Sequence, residues 1–89
     1  MTHRRSASQR ELVEVVEYWN SLGRASNYVD ESSLISFLQI FTPAQIKGAM
    51  YITQSTGREA YFRYFCGVIH NWRRQLEAGE EPSYFEVDE

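Results

Sequence analysis

Apolar residues recur along the chain in four runs at helical spacing, separated by polar or glycine-containing breaks. In the first run Leu12, Val15, Val16, Trp19 and Leu22 return every three or four positions, the period of one helix face. Ser8-Gln9-Arg10-Glu11 precedes them as a capping box, in which Ser8 caps the Glu11 amide and Glu11 returns the bond. Gly23 stands where a helix ends in positive φ, so the pattern predicts a helix over about 9–22 and a polar loop from Arg24 to Val29. A second helix is predicted over about 30–41, capped by Asp30, with Leu34, Ile35, Leu38 and Phe41 as its apolar stripe. The third start carries the most signals. Thr42 is the cap, Pro43 the first helical residue and Gln45 the close of a capping box, with Phe41 and Ile46 flanking it as a hydrophobic staple. That helix runs over about 43–54 with Ile46, Ala49, Met50 and Thr53 on one side. A fourth is predicted over about 57–78, opened by Thr56-Gly57-Arg58-Glu59, with Tyr61, Tyr64, Phe65, Val68, Ile69, Trp72 and Leu76 facing the core. Gly79 ends it and Pro82 keeps it from resuming. No useful stretch alternates with period two. The expected architecture is all-α, a small bundle of four helices with a flexible acidic C-terminal tail.

The 89 residues make room for one domain with one core, in which about 60–65% of the unfolded surface is buried. An aromatic content of 15% helps so small a core reach adequate burial. No run approaches the ~18–20 apolar residues of a membrane span. Arg4 and Arg5 are not followed by the apolar segment of a secretory or twin-arginine signal. Cys66 is the only cysteine and cannot form an internal disulfide, so a cytoplasmic location is the expectation.

The net charge of −3 conceals a gradient that matters more for partners than its sum. Residues 1–8 form a basic head with Arg4 and Arg5, and Arg10 follows just inside the helical domain of 9–78. The tail, 79–89, carries Glu80, Glu81, Glu86, Asp88 and Glu89 and no base.

Catalysis requires convergent titratable groups, and few are present. His3 lies in the basic head and His70 stands alone on the fourth helix; no HExxH, CxxC, Cys/His cluster or glycine-rich phosphate loop occurs. Cys66 beside Gly67 has the chemistry of a nucleophile, but a lone cysteine within an amphipathic helix ordinarily packs. The expectation is a binding protein, not an enzyme, with no cofactor and no metal.

The segment from Ile46-Lys47-Gly48-Ala49-Met50 through Gly57 to Tyr64-Phe65-Cys66-Gly67-Val68-Ile69-His70-Asn71-Trp72 resembles the DnaD-like domain of bacterial and phage replication-initiation proteins. The shared pattern is an aliphatic-Ala-aliphatic helix, a Gly-containing turn, and a last helix in which Tyr64, Val68 and Trp72 follow at intervals of four. Arg73, Arg74 and Gly79 are similar to the family's basic, Gly-terminated exit, and the likeness covers about residues 42–79. It implies contact with single- or double-stranded DNA, or with initiator and helicase-loader proteins. The chain departs from the family in lacking a winged-helix domain and in continuing into acids, which repel phosphates. Spacing by four places Tyr64, Val68 and Trp72 along one nearly straight ridge, expected mainly in the core.

Two surfaces are candidates for partners. Opposite the core face, Arg63, Gly67, His70 and Arg74 share one stripe with Asn71 at its edge, and Arg58 and Arg73 add charge for nucleic acid or a protein. An exposed mid-helix glycine costs ~1 kcal/mol relative to alanine, so Gly67 suggests close approach by a backbone or phosphate. In the tail, Tyr84, Phe85 and Glu86 form a docking motif that folds back on the basic stripe or onto a partner's groove.

These features point to a replication-associated accessory or adaptor, phage-borne, working through protein contacts with weak DNA binding and free to self-associate. The alternatives are a small inhibitor that blocks a host nucleic-acid-binding protein with its acidic end, and a helix-turn-helix regulator using residues 43–54. The latter helix offers a groove only Gln45, Lys47 and Gln54. Trp72→Ala is expected to cost ~3–5 kcal/mol of stability as a core truncation, which thermal denaturation measures. An unchanged melting temperature would place the ring outside the core.

Overall fold

The computed structural model describes residues 7–22, 29–55, 62–82, 84 and 86. Among them are four helices: α1 (Gln9–Ser21), α2 (Glu31–Leu38), α3 (Pro43–Ser55) and α4 (Phe62–Glu77), and no strand. The protein is a small all-α bundle, as the spacing predicts.

Local chemistry sets the helix ends. Ser8 Oγ accepts the Glu11 amide at 3.1 Å and Glu11 accepts the Ser8 amide at 3.5 Å, completing the expected box. Asp30 accepts from the Ser33 amide and, at 2.8 Å, from the Ser33 hydroxyl. Thr42 and Gln45 form the second reciprocal pair, at 3.2 and 3.0 Å. Each satisfies amides that the first helical turn leaves without carbonyl partners. Helix α2 stops at Leu38, shorter than the apolar pattern suggests, and Ile40 and Phe41 form a tight turn on the Phe37 carbonyl. A residue before proline is pushed towards extended backbone, so the chain has to have left the helix by Thr42. The boundary signals at Gly23 and at 56–59 lie outside the described residues.

Helix α3 packs against α1, α2 and α4, and α1 also meets α2. Its burial is correspondingly broad, taking in Ile46, Lys47, Gly48, Ala49, Met50, Thr53 and Gln54, where the sequence pattern had shown one apolar side. Around it the rings interlock. Trp19 meets Phe62 and Phe65 at centroid distances of 5.8 and 5.9 Å, Phe37 meets Phe65 at 5.8 Å, and Phe41 meets Trp72 at 6.1 Å. These tilted and edge-on pairs lie in the range where aromatic quadrupoles attract.

Two faces are rotated from their expected positions. On α2, Phe37 is buried and Ile35 is 40% exposed. On α4 the core line is Phe62, Phe65, Ile69 and Trp72, whereas Tyr64 is 49% exposed and Leu76 is also exposed. The straight core ridge is therefore corrected. A helix turns about 100° per residue, so steps of four drift by about 40° each. The ridge begins at exposed Tyr64, passes half-buried Val68 and enters the core at Trp72.

The sequence's only lysine, Lys47, is 2% exposed. Its Nζ lies 2.6 Å from a Glu14 carboxylate oxygen and 5.7 Å from the centre of the Tyr18 ring, so α1 supplies an anion and a π-face to a cation on α3. The Gln54 amide donates to the Trp19 carbonyl at 3.4 Å and joins the same two helices further along. Removing one member of a buried pair strands the other's charge, whereas replacing the charge with a matched apolar chain is often neutral. Glu14→Ala is expected to lose about 1–3 kcal/mol in urea denaturation, discounted because Glu14 is partly exposed. Lys47→Met is expected to lose less. Equal losses would mean that the charge itself, not its stranding, holds α1 on α3.

Candidate functional site

Helix α4 presents its core line to the bundle and the opposite side to water. Arg63, Gly67, His70, Asn71, Arg73 and Arg74 are all exposed, so the expected stripe is accessible. By helical periodicity Arg63, Gly67, His70 and Arg74 share the outward side, while Arg73 points to a flank. Arg58 and Phe85 lie outside the described residues. The His70 ring stands edge-on to Phe37 at 5.7 Å, which ties this margin of the stripe to α2.

On the other margin Tyr64, Gly67, Val68 and Asn71 line a shallow groove. A methyl group built on Gly67 meets no atom within 4 Å, so packing among the described residues does not require glycine at this position. The groove thus joins a half-exposed ring, a side-chain amide and the bare backbone at Gly67, with Arg63 one turn before the glycine and Arg74 two turns after it. Sequence reasoning identified Gly67 and the arginines but placed Tyr64 in the core; the rotation of α4 brings it to this surface.

The tail takes a different course from the one expected. Gly79 adopts φ +80, its amide donates to Leu76 and that of Glu80 to Gln75, a Schellman closure of α4. The chain then turns back. Pro82 is buried, and Tyr84 stands edge-on to Trp72 at 5.2 Å and to Phe41 at 6.1 Å. Glu86 accepts from the Gln45 amide at 3.4 Å. Tyr84 and Glu86 thus dock on the α2–α3 junction and the core edge of α4, not on the Arg63/Arg74 stripe. The reason is geometric: Trp72 and Arg74 lie on nearly opposite sides of α4. Burial, then the charges of Glu81 and Glu86, raise the Tyr84 phenol above its ordinary pKa.

The helix-turn-helix alternative relies on side chains that are engaged elsewhere. Lys47 and Gln54 are buried, and Gln45 serves the Thr42 cap and Glu86. Among the described residues no group of three or more His, Cys, Asp or Glu could hold a metal ion, and no helix is long and apolar enough to cross a membrane.

Cys66 is half-buried, and burial, helped by the charge of Asp30, pushes its thiol up to about 11. Near neutrality it carries its proton and is a poor nucleophile. Burial also raises the Tyr18 phenol, assisted by Tyr51 and opposed by Lys47. Searches against protein-family models, curated proteins and solved structures returned no match to this chain. Fold and surface together define the class: a small all-α bundle with a solvent-facing basic and aromatic helix.

The raised Cys66 value has a consequence for stability. A thiol that titrates near 9.0 when unfolded and near 11 when folded holds its proton more tightly in the native state. Its contribution is complete below the unfolded value and is lost as pH rises through the folded one. The urea midpoint is expected to start falling above about pH 9, with a shallower fall in Cys66→Ala. Identical alkaline profiles would remove Cys66 from this account.

Proposed function

We propose that this chain is a non-enzymatic accessory or adaptor protein of DNA replication, of the kind phages encode, which binds a protein partner through the outward face of α4. The observation that carries this reading is the groove at Gly67. A glycine in mid-helix, beside exposed Tyr64 and Asn71 and between Arg63 and Arg74, weakens the helix without any return in packing among the described residues. A partner backbone pressed against α4 accounts for that loss. An aromatic ring and arginines are also the side chains in which binding energy concentrates at protein interfaces. The resemblance of residues 42–79 to the DnaD-like domain supplies the replication context and names initiator or helicase-loader proteins as the partner class.

A second reading, direct but weak DNA contact, is favoured by the same arginines. It predicts steep loss of affinity with salt, as neutralised phosphates release counterions. The inhibitor reading is less favoured, because Tyr84 and Glu86 are engaged on their own chain.

Gly67→Ala separates function from stability. The full chain carrying it is expected to gain about 0.4–1 kcal/mol, since alanine restricts the unfolded chain and meets open space in the native one. The same variant is expected to lose co-purification with a replication initiator or helicase loader, as are Tyr64→Ala and the pair Arg63→Glu, Arg74→Glu. Capture unaffected by all three would overturn the α4 interface, and capture of no replication protein would overturn the replication context. Titration of labelled DNA into the arginine pair checks the second reading.

A further inference from the structure

The place where the tail docks involves Phe41, Gln45 and Trp72, on the side of α4 away from the proposed interface, and does not depend on it. After the Gly79 turn, three alternate residues of the tail make three different contacts. Pro82 is buried, and its carbonyl accepts the Tyr84 amide at 3.0 Å, which bends the segment. Tyr84 enters the angle between Phe41 and Trp72, with both rings edge-on to it. Glu86 meets the side-chain amide of Gln45, whose own carbonyl oxygen is held by the Thr42 amide. That lock turns the Gln45 N–H group outward, at the first turn of α3, where the helix dipole also favours an anion. The aromatic ring and the carboxylate are thus each matched by a separate feature of the seat, and the proline two positions before the ring is buried.

The attachment is nonetheless light. The Glu86 contact is long and exposed, and Glu80 and Glu81 are exposed. Tyr84 remains only partly buried. Among the described residues the occupant is held by a buried proline, one ring and one long hydrogen bond, and the chain supplies it at a high effective concentration, on the order of millimolar for a short tether.

We propose that the Phe41–Trp72–Gln45 seat is a peptide-binding site, occupied in cis by the chain's own Pro82-x-Tyr84-x-Glu86 segment. Its partner is an acidic peptide with proline, an aromatic residue and a carboxylate at the same alternate spacing, which displaces the tail. The tail is then an internal competitor that sets the threshold for that partner. Displacement also frees the acidic segment.

The test uses the full chain and a synthetic peptide with the sequence of residues 80–89. Tyr84→Ser in the full chain vacates the seat and leaves Phe41, Gln45 and Trp72 in place. Calorimetric titration is expected to give one-to-one binding, at least about tenfold tighter than to the wild-type chain, whose tail competes. A peptide with alanine in place of Tyr84 is expected not to bind, and one with glutamine in place of Glu86 to bind several-fold more weakly. Full-chain Glu86→Lys provides a milder opening should Tyr84→Ser fail to fold. The proposal is overturned if neither variant binds the peptide more tightly than wild type, since the tail is then a fixed part of the core. It is also overturned if wild type alone forms a dimer that Tyr84→Ser abolishes, since the occupant is then a second copy.

Discussion

Every other helix of the bundle touches α3, and α3 has no broad polar face to turn to water. A helix buried on several sides needs partners for the polar groups it carries. Thr53 returns its hydroxyl to the Ala49 carbonyl, the Gln54 N–H group reaches the Trp19 carbonyl while its own side-chain oxygen is left without a partner among the described residues, and Lys47 draws Glu14 and the Tyr18 ring from α1. The position of α1 is therefore constrained electrostatically as well as by packing. A shift of one turn would separate Lys47 from Glu14 and leave an ammonium group without its carboxylate, which is expensive away from water.

With α1 and α2 set around α3, α4 closes the core through Phe62, Phe65, Ile69 and Trp72. Its rotation about its own axis follows from those four contacts and decides what faces outward. Tyr64 and Trp72, eight residues apart at helical spacing of four, consequently have different environments. Trp72 belongs to the core, and Tyr64 to the surface groove with Gly67 and Asn71. Stability and recognition are thus divided along one ridge of one helix.

The tail closes the remaining edge. Trp72, Phe41 and Tyr84 pack as three mutually contacting rings, so a residue beyond the last helix completes the environment of one within it. Among the described residues, the carboxylates of this segment do not enter the core. Glu80, Glu81 and Glu86 stay exposed while Pro82 and Tyr84 turn inward, an alternation that lets an acidic segment cover an apolar edge without desolvating its charges.

The features legible in the sequence are those decided within a few residues. Ser8–Glu11, Asp30 and Thr42–Gln45 cap their helices because a side chain three positions away reaches a free amide in any surrounding. Gly79 takes positive φ because little else does so cheaply. Helical spacing likewise made the all-α architecture and most of the core legible, and it placed Arg63, Gly67 and Arg74 on one exposed side. Tertiary structure alone decided the rotation of α2 and α4, the burial of Lys47 and the seat of Tyr84. An apolar arc on a helix is wider than the strip it buries, so the neighbours choose between Tyr64 and Phe62, or between Ile35 and Phe37. A lysine enters the core only where a distant carboxylate waits for it, and a tail tyrosine docks only where two rings from different elements leave room. Those partners are remote in the chain, and no local pattern specifies them.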